Sequence, residues 1–141
     1  RDIAGIRVIC YFIDDIYNLV NALKRQSELI FIREKDYIQN PKPNGYRSFH
    51  VIIAVPVYYL DIMEYFPVEI QLRTMTMDLW ASMEHRVCYK KLPEHRDELA
   101  EAFCQYADIL GKIEEQFEAY NETGMLEEII PAQVTENPTE G

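Results

Sequence analysis

From Thr74 onward the apolar residues recur at three- and four-residue steps, whereas most of the chain before it runs in short apolar blocks or alternates in twos. Strands have a side-chain period of two and helices one of 3.6, so the switch predicts a strand-rich first half and a helical remainder. Residues 3–12 (IAGIRVICYF) are almost continuously apolar and rich in β-branched side chains, the pattern of a strand buried on both faces. Residues 14–25 place Ile16, Leu19, Val20 and Leu23 at helical spacing behind two acids that suit a helix N-terminus. Residues 29–32, 48–57 and 65–73 read as three further strands, and the interval 58–64 is short enough to make the last two an antiparallel hairpin. The fold class this implies is α+β: a mixed or antiparallel sheet of about four to five strands flanked by helices.

After Thr74 the stretch MTMDLWASMEHRVCYK has neither Gly nor Pro and predicts a helix capped by Thr74 or Thr76. A longer helix is expected over residues 93–120, where Leu99, Phe103, Tyr106, Leu110, Ile113, Phe117 and Tyr120 form one stripe. That stripe can pack on the chain's own core or on a second copy. The last 21 residues hold five glutamates and no Lys or Arg, so a short docked segment at 125–130 and fraying beyond it are expected.

A chain of 141 residues supports one domain with a real core. Its acidity is local: from Glu94 on there are thirteen acids against Arg96 and Lys112, whereas residues 1–93 carry twelve bases and eleven acids. That balance argues against non-specific nucleic-acid binding and leaves room for a basic pocket that takes one small polyphosphate. The longest apolar run is interrupted by Pro56 and is far short of the roughly 20 residues of a membrane span, so a cytoplasmic protein is expected. Cys10, Cys88 and Cys104 contain no Cys-x-x-Cys pair and read as packing residues.

The polar residues are more informative. In VEIQLR, strand alternation sends Val68, Ile70 and Leu72 to one face and Glu69, Gln71 and Arg73 to the other. Asp78, Ser82, His85 and Tyr89 continue that polar face along one side of the following helix. Asp2 stands before an apolar strand, either as a capped chain entry or as a metal ligand shared with Glu69. Two carboxylates are what Mg²⁺ bound to substrate phosphates draws from a protein. Arg7 lies five residues from Asp2, so a bulge at Gly5 is expected if the two are to share a face. Residues 40–50, NPKPNGYRSFH, contain an Asn44-Gly45 pair that signals a type I′ turn. The loop over 36–47 is longer than a tight hairpin needs, which suggests a functional loop stiffened by Pro41 and Pro43, with Gly45 letting the backbone approach a ligand.

DIAGIRV at residues 2–8, KPNGYRSFH at 42–50, VEIQLRT at 68–74 and MDLWASMEH at 77–85 together resemble the motifs of the RelA/SpoT synthetase domain. The nearest type is the small alarmone synthetase of the RelQ class. The resemblance implies a nucleotidyltransferase-like fold and a GTP diphosphokinase, which moves pyrophosphate from ATP to the 3′-OH of GTP or GDP. It divides the chain into a catalytic core at 1–92 and an acidic helical segment at 93–141 that joins subunits into a homotetramer. It also puts Mg²⁺ on Asp2 and Glu69, with Glu69 the metal partner or base. Tyr46 would stack on guanine. Lys42 and His50 would meet the guanosine phosphates, with Asn44 and Gln71 beside them, and Arg7 would meet ATP. Asp78 could accept from guanine N1–H and its 2-amino group together. The family also draws ATP-binding cations from helices upstream of its DIAG motif, so this stretch alone is expected to bind guanine nucleotide better than it turns over ATP. A tRNA-modifying pyrophosphokinase and a non-catalytic guanine-nucleotide sensor are the competing readings. The acidic tail disfavours the first, and retention of both Asp2 and Glu69 disfavours the second.

Overall fold

A computed structural model describes residues 3–89 and 93–123. Asp2 and the docked segment expected at 125–130 lie outside the described residues. Strand β1 (Ala4–Cys10) leads into helix α1 (Ile13–Lys24), and β2 (Ile30–Asp36), β3 (Phe49–Tyr59) and β4 (Ile62–Thr74) follow. Helices α2 (Met75–Cys88) and α3 (Arg96–Thr123) complete the order, with a single 3₁₀ turn at Pro93–His95 between them. The sheet is mixed, in the order β1-β4-β3-β2, with β1 parallel to β4 and the other neighbours antiparallel.

Alternation along the two central strands decides what each face does. Phe49, Val51 and Ile53 of β3 and Ile70 and Leu72 of β4 turn to one side, where Ile16 and Val20 of α1 seal them into the main core. The opposite side is left to His50, Glu69, Gln71 and Arg73. Cys10 packs against the main core and Cys88 against the cluster around Trp80, in keeping with packing roles.

Three expectations change. The strand at the N-terminus is not buried on both faces: Ile6 and Ile9 are 52% and 44% exposed, because β1 is an edge strand with a neighbour on one side only. Its register with β4 runs from Ala4↔Val68 to Cys10↔Thr74 without a shift, so Gly5 marks no bulge. The β3–β4 hairpin is tighter than expected. The strands extend to Tyr59 and from Ile62, and Leu60 at the turn has φ +55°. Beyond the pairing with β1 and β2, this hairpin continues as a two-stranded arm carrying exposed Tyr58, Tyr59 and Ile62.

Thr74 ends β4 and caps α2, its hydroxyl accepting from the Met77 N–H at 3.4 Å. This links the polar face of β4 to the helix that follows without an intervening loop. Trp80 of α2 packs on Phe103 and Ala107 of α3, with Leu99 and Leu110 alongside. The α3 stripe therefore divides. Leu99, Phe103 and Leu110 are used within the chain, while Tyr106, Ile113, Phe117 and Tyr120 stay exposed. None of the described helices is long and apolar enough to cross a membrane.

Candidate functional site

The loop between β2 and β3 is pinned at several points. Asp36 accepts from the backbone N–H groups of Ile38 and Gln39 at 2.9 and 3.0 Å, and from the Tyr17 hydroxyl at 2.6 Å. Burial first, and then that hydrogen bond, push the Tyr17 hydroxyl well above its ordinary pKa, so it stays a donor and ties the loop to α1. Tyr37 N–H donates to the Ser48 carbonyl at 2.9 Å and closes the loop.

The tip is not the Asn-Gly turn that the dipeptide suggests. The bond from Gly45 N–H to the Lys42 carbonyl, 2.8 Å, makes Pro43 and Asn44 the central pair, with Gly45 following at φ +99°. Pro at the second and Gly at the fourth position of a turn suit this arrangement. Asn44 Oδ1 accepts from Tyr46 N–H at 3.0 Å and so holds the loop's own backbone. Gly45 brings the backbone close to α3: a Cβ there would stand 2.9 Å from Cys104 Cα.

This loop delivers Tyr46 to the polar face of the sheet. Arg73 Nη2 donates to the Tyr46 hydroxyl at 3.0 Å, and that hydroxyl lies 2.8 Å from His50 Nε2. The phenol oxygen accepts from Arg73, and the direction of its bond to His50 follows the imidazole tautomer: with the ring proton on Nδ1, Nε2 accepts the phenol proton. Burial lowers the His50 pKa, Glu69 opposes that shift, and Arg73 and Lys42 add to it. The rings of Tyr37, His50 and Trp80 all meet Tyr46 edge-on, so none of the three stacks on it. Lys42 Nζ is 5.0 Å from the Tyr46 ring centroid, and Arg73 Cζ is 5.5 Å from it.

Register aligns the rest. Gln71 of β4 faces Arg7 of β1 on one side and His50 of β3 on the other, and its Nε2 donates to Glu69 Oε1 at 2.9 Å. Asp78 reaches back from the first turn of α2, its Oδ1 lying 3.1 Å from Arg73 Nη1 and 3.6 Å from Arg7 Nη1. Arg7, Lys42, Asn44, Tyr46, His50, Glu69, Gln71 and Asp78 thus gather around one face, with Asn44 turned to its own loop. Ser82 and His85 remain on an exposed stretch of α2, and Tyr89, also exposed, lies just past its end.

Sequence reasoning passed over the residue at the centre. Arg73 is only 7% exposed and joins Asp78 to Tyr46, while its Nε has no hydrogen-bond partner among the described residues. Its place in the polar row of β4, five residues before Asp78, was the available signal. Arg33, Lys35 and Tyr37 line a hollow shared with His50 and Glu69, and only the β2 register, which sets Lys35 opposite His50, reveals them.

The Tyr46–His50 bond has a pH consequence. With the folded-state pKa of His50 below its ordinary 6.5, the unfolded chain binds the extra proton first as pH falls. Stability from this group is present above pH 6.5 and is lost as pH drops from there through the folded value. His50→Gln is expected to flatten the thermal midpoint between pH 7.5 and 5; an unchanged slope would mean that His50 is not the titrating acceptor.

Comparison with known proteins agrees with this arrangement. Residues 1–94 match the family described as the region found in RelA/SpoT proteins. The chain is 49% identical over 116 residues to the GTP pyrophosphokinase YwaC of Bacillus subtilis, an alignment covering 82% of this chain and 55% of that protein. Its fold superposes on the crystal structure of small alarmone synthetase 2 from Bacillus subtilis with a TM-score of 0.75 at 44% identity, covering 84% and 65% of the two chains. Small alarmone synthetase 1 from the same organism, bound to its product pppGpp, gives 0.74 at 28% identity, covering 86% and 62%. The chain spans about half the length of the curated relatives it matches. Arg7, Tyr46, Glu69 and Asp78, one from each of the four motifs, gather around one sheet face, and the family match runs through all four motifs: the chain belongs to the RelA/SpoT family.

Proposed function

We propose that the protein is a GTP pyrophosphokinase that transfers the β,γ-pyrophosphate of ATP to the ribose 3′-OH of GTP or GDP, yielding pppGpp or ppGpp and AMP. The observation that carries this reading is the juxtaposition of Tyr46, held square by Arg73 and His50, with Glu69 on the same sheet face. Transfer of this kind depends on positioning and charge neutralisation, with little covalent work for the protein. Tyr46 is the guanine platform, the base displacing the exposed Lys42 from its ring. Lys42 and His50 then face the acceptor phosphates, and Arg7 faces ATP. Asp78 orients Arg7 and Arg73, leaving one carboxylate oxygen to read guanine.

Glu69 accepts the proton of the 3′-OH as its oxygen bonds to the β-phosphorus, and the bond from that phosphorus to the α,β-bridging oxygen breaks to release AMP. Gln71 fixes the carboxylate for this task. The donor set also fits Mg²⁺, which takes one or two carboxylates and completes its shell with water and phosphate oxygens. Glu69 supplies one such group, Asp2 is the proposed second, and Asp78 is already committed to two guanidinium groups. When bound, Mg²⁺ neutralises the polyphosphate and withdraws charge from it. The exposed side of α3 suits the proposed homotetramer, and the proposed location is cytoplasmic.

The test is incubation of the whole protein with Mg²⁺, β,γ-labelled ATP and GTP, GDP or tRNA, with products resolved. Label on the guanosine nucleotide supports the reading. Label on tRNA, or no transfer while guanine nucleotide still binds, replaces it with one of the competing two.

A further inference from the structure

The acceptor loop is fastened from behind. Gly45, Tyr46 and Arg47 are consecutive, yet only the middle residue turns to the sheet face. Gly45 lies so close to α3 that a Cβ would meet Cys104 Cα at 2.9 Å and Ala107 Cβ at 3.0 Å. The Arg47 side chain leaves the site altogether. Its Nη2 pairs with Asp108 Oδ1 at 3.1 Å, and its Nη1 lies over Gly111, where a Cβ would stand 2.7 Å away. Trp80 backs Tyr46 with ring centroids 6.2 Å apart, and its own N–H donates to the Phe103 carbonyl at 2.7 Å. These three supports of the loop, through Gly45, Arg47 and Trp80, all end on α3.

Arg47 is not arranged as stability alone would arrange it. Among the described residues its buried Nε has no hydrogen-bond partner, and its one ionic partner, Asp108, is largely exposed. An exposed pair contributes little, whereas an unsatisfied buried donor is costly. What the geometry does accomplish is to fix the residue next to Tyr46.

We infer that Arg47 is a positioning residue, a strap from the acceptor loop to α3 that sets the angle of Tyr46, with Gly45 and Gly111 as the clearances the strap needs. The inference rests on Tyr46 as the guanine platform, and it makes α3 a determinant of acceptor binding without any contact to substrate.

The test compares Arg47→Ala, Arg47→Lys and Gly111→Ala in the whole protein. Arg47→Ala is expected to raise the acceptor KM about tenfold, with kcat at saturating acceptor and the KM for ATP within about twofold of wild type. Arg47→Lys, which can still reach Asp108, should recover part of that loss. Gly111→Ala separates positioning from folding. Alanine is the better helix former, so the thermal midpoint should hold or rise, while the new methyl group displaces the guanidinium and raises the acceptor KM. Amide exchange over residues 42–48 should quicken in Arg47→Ala and in Gly111→Ala alike. An unchanged acceptor KM in both variants, or equal losses in kcat and both KM values, overturns the strap. Should Arg47→Ala not fold, Gly111→Ala carries the test. If the wild-type protein binds no guanine nucleotide, the proposed function fails, and loop exchange alone decides the strap: faster exchange supports it and unchanged exchange overturns it.

Discussion

Glu69→Gln is expected to lower turnover by about 10²–10⁴-fold, the usual contribution of a positioned general base. Guanine-nucleotide affinity should stay within about threefold of wild type, since uniform binding does not depend on the base. The substitution keeps the shape of the side chain, and its amide oxygen can still accept from Gln71 Nε2, so the local geometry is retained. Glu69 also sits mid-strand, opposite Gly5 on β1 and Ile52 on β3, where backbone pairing holds its position whatever the side chain. The loss should therefore fall on kcat, measured at saturating ATP and acceptor, with affinity read by calorimetry on the guanine nucleotide alone. Equal losses in turnover and affinity would falsify the role of base and make Glu69 a binding residue.

The parts of the fold that were legible in the sequence are those where one face is dry. Alternation in VEIQLR sorted core from polar side chains correctly, because a strand packed on one side has no other way to satisfy both. The period switch at Thr74 located the start of α2, where Thr74, one of the two candidate caps, is the one used. Apolarity misled at β1. A run such as IRVIC reads as doubly buried, yet its burial depends on how many neighbours the strand acquires, which is a property of sheet order and not of the run. The α3 stripe had the same ambiguity. Its apolar positions keep to one face of the helix, and only part of that face is covered among the described residues: Leu99, Phe103 and Leu110 are packed while Phe117, further along it, stays exposed.

The site was legible where motif order and strand parity sufficed, as for Glu69, Gln71 and Tyr46. It was opaque where a residue's role depends on contacts far away in sequence. Arg47 and Arg73 stand symmetrically in that respect. Both are arginines beside named motif residues, and one turns inward to Tyr46 and Asp78 while the other turns outward to Asp108, 61 positions on. Nothing within residues 40–50 gives the direction of Arg47. Gly45 has a use that the sequence did not show for a related reason: its positive φ was foreseeable, but the close approach of α3 that also needs the clearance was not.

Tyr46→Ala is expected to weaken guanine-acceptor binding by about 5–150-fold, the equivalent of the roughly 1–3 kcal/mol that base–aromatic stacking supplies. The prediction needs the ring face, and Tyr46→Phe isolates it. Phenylalanine keeps the platform and its edge-on contacts with Tyr37 and Trp80 but removes the hydroxyl that joins Arg73 to His50. Arg73 Nη2 is then left without that acceptor in a nearly closed environment, a loss of about 1–3 kcal/mol in stability. The two variants should therefore separate. Tyr46→Phe should bind acceptor much as wild type does and melt earlier, whereas Tyr46→Ala should lose both binding and stability. If the two lost acceptor affinity equally, the hydroxyl relay and not the ring would be the recognition element, and Arg73 would take the place of Tyr46 at the centre of the site. The pH profile then discriminates further, because a relay that ends on neutral His50 weakens as that imidazole is protonated below its ordinary 6.5, while a stacking platform does not.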